Sequence, residues 1–543
     1  MRKFLMAVAI GGLVLLVAAP AMALDFKFGA EYRVRFYDYA NTGFDSQNTL
    51  SQEVAGNGAG ANAGRGGSGG VQIRVRPRFD VSDDNGNIQA TIRFEYGDTS
   101  FGAGGGANGE SLGSNGGAVS MAPQGNRTGN NAGGSIGADG VALETKWAYV
   151  DFAMPMNIPL RVRAGVQPWY LPKGLVIDDD AAGVRAYGNY GIVGYDLAWF
   201  RIATAPASSS AAAGLVGQPR FDAGKDDNFD FWQAKVNFDI APWLNAGAYY
   251  LFGNNRANCA NANNAGATNS QYLGGLCIDA AGNGIDRVRQ QNWFGLTFTG
   301  KIATVDYDLD WVYGQAKGGS QGAFTSGSIN GIINASAAKQ AQNVKGWALD
   351  AGVHIPIGPV KWNLLGTYAT GDKGDGVNHD SDAFPMGPGP SWSGAGGQYE
   401  LIGEGGAFDV QSFTQHTPTN LYMLGTTLEY VPVKALWLKA AYGFVGFVNK
   451  NGNCAVDLQI NGPAAFDANA TLVQKAGTQC YGPIYYGKPG NTIAGKSYLG
   501  QELHFRADYT MWTGFKVQGM VGWFFPSAGD IAGKYILQLL YNF

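Results

Sequence analysis

The chain has 543 residues, of which 83 are glycine and 13% are aromatic, while only 15% are charged. A soluble protein of ordinary composition carries about 25% charged residues, so this sequence departs from that class. The formal net charge is −4, so the chain has no excess of basic residues, which argues against nucleic acid as a partner.

The N-terminus has the three parts of a secretory signal peptide. A positive pair, Arg2 and Lys3, precedes an unbroken apolar run over residues 4–18, and the small-residue cleavage site Ala21-Met22-Ala23 follows. An N-terminal membrane anchor is the alternative, but the run is short for a span. We predict that residues 1–23 are removed and that the mature chain begins at Leu24.

After residue 23, no apolar stretch reaches the ~20 residues that a transmembrane helix needs. An exported chain with few charges, abundant glycine and no spanning helix is either a large soluble β-protein or an outer-membrane barrel. The barrel explains the low charge better, because its outer wall must face hydrocarbon.

Alternation with a period of two residues begins at once. In FKFGAEYRVRF (26–36) the apolar residues alternate with charged ones, and VQIRVRPRFDV (71–81) repeats the pattern. A turn of Asp, Asn and Gly residues at 83–87 leads into IQATIRFEY (88–96), which alternates in the same way. Each segment predicts a strand with one apolar and one polar face.

Similar segments recur to the end of the chain. Further strands are predicted near 141–152, 160–167, 183–189, 194–203, 229–240, 244–252, 292–301, 303–314, 345–356, 360–370, 420–431, 436–448, 498–510, 515–525 and 534–543. Short connections alternate with long Gly/Ser/Asn-rich ones, the rhythm of a barrel with a periplasmic and an extracellular rim. We predict an all-β fold: one transmembrane antiparallel up-and-down barrel over residues 24–543, with 18 strands, or 16 if the weak segments 183–189 and 194–203 are not strands.

The last ten residues, KYILQLLYNF, place apolar side chains at every second position up to the terminal carboxylate. These residues are Tyr535, Leu537, Leu539, Tyr541 and Phe543. We predict that this strand pairs with the first one and closes the barrel, leaving no edge in lipid. A terminal Phe after such a pattern also resembles the signal that the outer-membrane assembly machinery reads, which predicts that machinery as a partner and the outer membrane of a Gram-negative bacterium as the location.

Two central segments carry a family resemblance. VALETKWAYVDFAMP (141–155) and LRVRAGVQPWYLPKGLVIDDDAAG (160–183) resemble the central stretch of the homotrimeric outer-membrane porins of sulfate-reducing bacteria. The opening LDFKFGAEYRVRF and the closing LLYNF match that style. The resemblance implies a trimeric, water-filled channel for general diffusion. The long loops 371–419 and 449–497 depart from the family.

A basic ladder is predicted on the wall of the lumen. Its members are the arginines opposite the apolar face of the early strands: Arg33, Arg35, Arg74, Arg76, Arg78, Arg93, Arg161 and Arg163. A charge on the lipid face would cost about 2–4 kcal/mol at mid-membrane, which favours the lumen. The alternative is that some lie at the rims or form structural pairs with Glu31, Glu95 and Glu144.

Acidic groups should face the ladder. In trimeric porins generally, the third long-side loop folds into the barrel, so the resemblance makes residues 168–183 the constriction, with Asp178, Asp179 and Asp180 opposite the arginines. An exposed acidic loop tip is the alternative, and a Ca²⁺ site on these carboxylates is a minor third one.

Two later strands carry further lumen groups. Asp306, Asp308 and Asp310 alternate with apolar residues, and so do the four polar residues Glu502, His504, Arg506 and Asp508. Both rows are predicted to line the channel rather than to form a catalytic set.

The four cysteines fall into two pairs in Gly/Asn-rich loops of an exported protein, which predicts the disulfides Cys259–Cys277 and Cys454–Cys480. Neither a C-x-x-C spacing nor the nearby histidines of a zinc site are present. The sequence also contains no G-x-S-x-G and no H-E-x-x-H motif. We predict no enzymatic activity and no cofactor.

Three functions follow from these observations. The first is a porin for passive diffusion of small hydrophilic solutes and ions. The second is a selective channel for a sugar, an organic acid or an anionic polymer, with the arginines as its track. The third is a surface barrel without a channel, such as an adhesin.

Overall fold

The computed structural model describes most of the strand-forming sequence. The described residues are 24–40, 68–100, 143–156, 158–204, 228–255, 288–318, 343–371, 382–385, 387–388, 391–403, 418–449, 497–527 and 531–543. The predicted signal peptide and all four cysteines lie outside these ranges, so the cleavage and both disulfides stay predictions.

Within the described ranges, eighteen strands form a single sheet. Their bounds are β1 (Leu24–Ala40), β2 (Ser68–Asp83), β3 (Ile88–Ser100), β4 (Leu143–Ala153), β5 (Arg161–Tyr170), β6 (Asp178–Tyr190), β7 (Val193–Thr204), β8 (Asn228–Ala241), β9 (Leu244–Asn255), β10 (Val288–Ile302), β11 (Val305–Gly318), β12 (Asn343–Ile357), β13 (Val360–Ala369), β14 (Leu421–Val433), β15 (Leu436–Phe447), β16 (Tyr498–Trp512), β17 (Phe515–Pro526) and β18 (Ala532–Asn542). Short 3₁₀ turns occur at Pro172–Gly174 and Gly396–Gln398. Within the described ranges, no helix is long and apolar enough to cross a membrane.

The sheet closes on itself. Each strand pairs antiparallel with its neighbours in sequence, and β1 pairs with β18 from Glu31↔Asn542 to Ala40↔Gly533. The prediction of 18 strands is therefore confirmed, and the alternative of 16 is wrong, because both weak segments form strands (β6 and β7) with continuous pairing.

The strand connections differ between the two ends of the barrel. Tight turns join the strand pairs at one rim, for example at 84–87, 358–359 and 513–514. Long connections leave the other rim, as predicted, with two short exceptions at 171–177 and 527–531.

The two faces of the wall have opposite chemistry. On β1, Phe26 and Phe36 point outward and are 61% and 42% exposed, whereas Arg33 and Arg35 point inward and are 1% and 3% exposed. Large apolar side chains remain exposed on the outer face of most other strands as well. An apolar outside and a polar, partly buried inside are what period-two alternation produces in a closed barrel.

The C-terminal residue takes part in closure. Phe543 N donates to Ala30 O (3.1 Å) and Ala30 N donates to Phe543 O (3.0 Å), while the Phe543 ring contacts the rings of Phe28, Tyr32 and Tyr541 at centroid distances of 5.7, 6.1 and 5.3 Å. The predicted pairing of the last strand with the first is confirmed.

We expect Phe543→Ala to weaken this closure, since each aromatic pair contributes about 0.5–1.5 kcal/mol. When samples are heated before electrophoresis, the variant should change from the mobility of the folded barrel to that of the unfolded chain at a lower temperature than the wild type. Phe515→Ala, which contacts Tyr541 but not β1, is the control. Equal midpoints for wild type and Phe543→Ala would contradict the role of the terminal ring.

Candidate functional site

Two segments from the long-loop rim fill part of the lumen. The first inner loop comprises residues 171–177, and the second inner loop comprises residues 382–403, of which 386, 389 and 390 lie outside the description. Their apolar side chains pack with inward-facing wall residues into one cluster. Members with no exposed surface include Leu171, Leu175, Val176, Phe384, Trp392, Tyr399, Leu401 and Ile402 from the loops, and Phe231, Trp293 and Met423 from the wall. The barrel therefore encloses a hydrophobic core on one side of its lumen.

The two inner loops also bind each other through their main chains. Ser391 N donates to Gly174 O (3.1 Å), and Ser393 N donates to Lys173 O (3.0 Å). Gly174 has φ of +64°, and a Cβ at this position would lie 1.9 Å from Ser391 O. Glycine is needed here both for the backbone conformation and for the close approach.

Asp350 on β12 holds both inner loops. Its carboxylate accepts hydrogen bonds from Trp392 Nε1 (2.9 Å), Ala395 N (3.0 Å) and Thr367 Oγ1 (2.6 Å), and it pairs with Lys173 Nζ at 2.8 Å. Burial alone would lower the pKa of Lys173, but Asp350 and then Asp308 outweigh it, so the pKa is raised. Lys173 therefore stays protonated at neutral pH and the pair stays ionic.

Glu502 on β16 holds the far end of the second inner loop. Its carboxylate accepts hydrogen bonds from the main-chain N–H groups of Glu400 (2.8 Å), Leu401 (3.0 Å) and Ile402 (2.7 Å), and from His504 Nδ1 at 2.7 Å. Consecutive N–H groups turned toward one carboxylate form an anion-binding nest. Because β12 and β16 are separated by three strands, the loop crosses part of the lumen.

Lysines of the same wall bind the carbonyl groups of this loop. Lys534 Nζ donates to Glu400 O (2.7 Å), and Lys439 Nζ donates to Gln398 O (2.7 Å). Burial raises the pKa of the Glu400 carboxyl, although His504, Lys439, Arg506 and Lys534 oppose that rise. The loop is thus fixed mainly through its backbone, and charged wall residues supply the partners.

The predicted constriction loop 168–183 is wrong in its extent. Residues 168–170 complete β5 and Asp178–Asp180 begin β6. The two strands pair here, and Trp169 lies opposite Asp179. Because strand pairing extends to Asp178, only residues 171–177 form a loop. This loop folds into the lumen and buries its apolar side chains there.

The three aspartates therefore lie on β6, and their opposition to the arginines stays a prediction. Asp180 Oδ1 accepts a hydrogen bond from Trp147 Nε1 (2.7 Å), and the Trp147 ring itself contacts Arg93 and Arg78. Asp180 thus lies beside the ladder. Within the described part of the chain, no group of three or more His, Cys, Asp or Glu side chains could hold a metal ion, and this includes the aspartate run.

The row on β11 has three different environments. Asp306 is half-exposed and pairs with Lys301 at 3.5 Å, whereas Asp308 contacts Lys173 and His354. Asp310 is 1% exposed and lies opposite Asp350 in the pairing of β11 with β12. Of these three aspartates, Asp308 forms an ion pair with an inner loop, through Lys173.

The predicted arginines line the inner face of β1, β2, β3 and β5, and most of them form ion pairs. Arg74 pairs with Glu31 (2.9 Å), Arg76 with Glu95, and Arg78 with Asp80 (2.8 Å). Arg161 and Arg163 share Asp151 at 2.7 and 2.8 Å, and Arg35 Nε donates to Gln72 Oε1 at 3.1 Å. The structural pairing considered for Glu31 and Glu95 is therefore present, within a continuous charged wall.

Aromatic rings accompany these guanidinium groups. Arg93 lies over Trp147 at 4.5 Å, Arg163 over Tyr149 at 4.4 Å, and Arg185 over Tyr187 at 4.8 Å. Cation–π contacts of this kind hold a flexible side chain against the wall and leave its outer face accessible.

Sequence reasoning missed Lys173, Asp350, Lys439 and Lys534, and it assigned Glu502 to the channel lining only. A usable signal was present in residues 392–402, where Trp, Tyr, Leu and Ile interrupt a glycine-rich loop. Apolar residues in a long surface loop indicate that part of the loop is buried.

Comparison with known proteins gives structural matches only. No protein-family model matches the chain, and no curated protein does. The fold is similar to that of OccK8 (OprE) of Pseudomonas aeruginosa, with 11% identity and a TM-score of 0.46 over 96% of this chain and 98% of that chain. OpdQ of Pseudomonas aeruginosa (10% identity, TM-score 0.46) and OccAB2 of Acinetobacter baumannii (10%, 0.44) each match 96% of this chain and 98% of their own.

Proposed function

We propose that the protein is an outer-membrane porin, a water-filled channel for passive diffusion of small hydrophilic solutes and ions. One observation carries this proposal: the inner face of β1–β5 bears ionised side chains, while the outer face of the same strands is apolar. Such a wall is stable only with lipid outside and water inside. The inner loops occupy the side of the lumen formed by the later strands, so solutes would pass along the arginine wall.

The test is a planar-bilayer recording with the purified protein. Stepwise conductance that grows linearly with salt concentration is expected. Absence of any conductance, with the barrel shown to be inserted, would favour the surface barrel without a channel.

We extend the proposal to the assembly. A homotrimer in the outer membrane, exported with a signal peptide and inserted by the assembly machinery, is supported by the sequence resemblance and by the aromatic C-terminus. Native mass spectrometry in mild detergent should give three times the monomer mass. A monomer that conducts ions would contradict the proposed homotrimer but would agree with the proposed channel function.

A substrate-selective channel is the second candidate, and the guanidinium–aromatic contacts favour it. Stacked rings beside Arg93, Arg163 and Arg185 offer flat apolar surfaces next to positive charge, which suits organic acids or sugars better than simple salts. Saturable block of the ion current by one such solute would support selectivity. Flux that depends on solute size alone would support general diffusion.

Removing three ladder charges should change the ion selectivity of the proposed channel. Replacing Arg74, Arg76 and Arg78 with glutamine removes the ion-pair partners of Glu31, Glu95 and Asp80, so the permeability should shift toward cations. The shift in reversal potential should be larger at 0.01 M salt than at 0.1 M, because the Debye length grows from about 10 Å to about 30 Å. Arg201→Gln, on the outward-facing register of β7, is the control. Unchanged selectivity at both salt concentrations would place the solute path elsewhere.

A further inference from the structure

His354 on β12 lies between two hydrogen-bond partners on the inner wall. Its Nδ1 is 2.7 Å from Asn363 Oδ1 on β13, and its Nε2 is 2.6 Å from Asp308 Oδ2 on β11. The side chain is 23% exposed. Both ring nitrogens are therefore engaged, and the partners determine which of them carry protons.

The amide of Asn363 has only one orientation that satisfies its neighbours. Asn363 Nδ2 lies 2.7 Å from Thr427 Oγ1 and 2.7 Å from Glu429 Oε1. An ionised carboxylate accepts hydrogen bonds and cannot donate them, so the NH₂ group must face Glu429. The carbonyl oxygen of Asn363 consequently faces His354, and His354 Nδ1 must be the donor.

The other partner is an acceptor as well. Asp308 Oδ1 contacts the Lys173 ammonium group, and Lys173 is held in turn by Asp350. A carboxylate paired with an ammonium group is ionised, so His354 Nε2 must also be a donor. A ring that donates from both nitrogens is an imidazolium cation.

Loss of the proton would change this arrangement. A neutral ring would direct one lone pair at either the carboxylate of Asp308 or the carbonyl oxygen of Asn363, and both contacts are repulsive. The wall would also lose a positive charge next to the first inner loop. The charged groups around the ring are Asp306 and Asp308 on β11, Asp350 on β12, Lys361 on β13, Glu429 on β14 and Lys173 of the loop.

We propose that His354 is a proton-binding residue that sets the ion selectivity of the lumen. The proposal rests on the channel function proposed above. The protonated ring completes the chain Glu429–Asn363–His354–Asp308–Lys173, and its charge favours anions beside the first inner loop. Acidification favours the imidazolium and a rise in pH removes it, so anion preference should fall as pH rises.

The experiment uses the full chain with His379→Gln and His416→Gln, which leaves His354 and His504 as its only histidines. The chloride-to-potassium permeability ratio is measured between about pH 5 and pH 8, where histidine titrates. We expect a decrease of about fourfold across this range, because a unit charge roughly 10 Å from a passing ion in water favours chloride about twofold and disfavours potassium about twofold. His354→Gln should give a flat profile at the alkaline value, and His354→Arg a flat profile at the acidic value.

A second readout does not depend on conduction. Ring ¹⁵N resonances of the folded protein should show His354 with both nitrogens protonated at the acidic end of the range, identified by their loss in His354→Arg.

The outcomes separate the two proposals. A selectivity step that persists in both His354 variants, or a ring that is neutral throughout the range, would overturn the assignment of His354. If no variant conducts but the imidazolium signal is present, the proposed channel function would be overturned. The assignment of His354 as a proton-binding residue would stand.

Discussion

Replacing Glu502 with alanine should increase the single-channel conductance severalfold. The carboxylate of Glu502 is fully buried and accepts the N–H groups of Glu400, Leu401 and Ile402. Without it, three main-chain donors would lie unpaired inside the barrel, each costing about 1–3 kcal/mol. The second inner loop can avoid that cost only by leaving the wall and exposing its N–H groups to water.

The expected result depends on the geometry of the loop. The segment from Gly396 to Ile402 is held by Glu502, Lys439 and Lys534, and Glu502 makes the largest number of these contacts. Its release would widen the cross-section of the lumen, so conductance should rise while the barrel itself stays closed through β1 and β18.

Asp151→Asn is the matched control. Asp151 is also almost fully buried on the inner wall, at 1% exposure, but it binds Arg161 and Arg163 and contacts neither inner loop. This variant should change ion selectivity and leave conductance nearly unchanged. Equal conductance in Glu502→Ala and wild type would show that the loop does not limit the current.

The barrel could be predicted from the sequence because its information is local. Alternation along residues 26–36 or 534–543 specifies which side chains face outward and which face inward, and closure follows from the same alternation at the two ends of the chain. The inward positions of Arg33, Arg35 and Arg74 followed from the same pattern, since these residues alternate with the apolar ones of the outer face.

The arrangement inside the lumen could not be predicted in the same way. Glu502 finds its partners about a hundred positions earlier in the chain, and those partners are N–H groups that any residue possesses. The aspartates 178–180 had the composition of a turn, but pairing with residues 168–170 placed them in a strand. Tertiary pairing overrode local composition in that case.

Replacing Asp350 with alanine should have the larger effect on stability, because both inner loops converge on it. The variant leaves Trp392 Nε1 and Ala395 N without their acceptor and removes one of the two carboxylates that compensate Lys173. Removing one partner of a buried ion pair costs about 3–5 kcal/mol. We expect the free energy of unfolding in lipid vesicles, measured by urea titration, to fall by that amount.

Protease sensitivity should report where the change occurs. New cleavage is expected within residues 382–403 in Asp350→Ala, because Trp392 and Ala395 would no longer be fixed. Asp230→Ala is the control, since Asp230 pairs with Arg201 at 2.8 Å on the outward-facing register and supports no loop. It should cost about 1 kcal/mol or less.

A double variant separates the ion pair from the hydrogen bonds. In Asp350→Ala/Lys173→Met the buried ammonium group is gone as well, and an apolar side chain of similar length occupies its place. Part of the stability should return, because an apolar replacement of a buried ion pair is often neutral. The part that does not return measures the hydrogen bonds to Trp392, Ala395 and Thr367, which the methionine cannot replace. If the single and double variants lose the same stability, the charge of Lys173 contributes nothing to the junction, and the hydrogen bonds of Asp350 to Trp392, Ala395 and Thr367 account for its whole contribution.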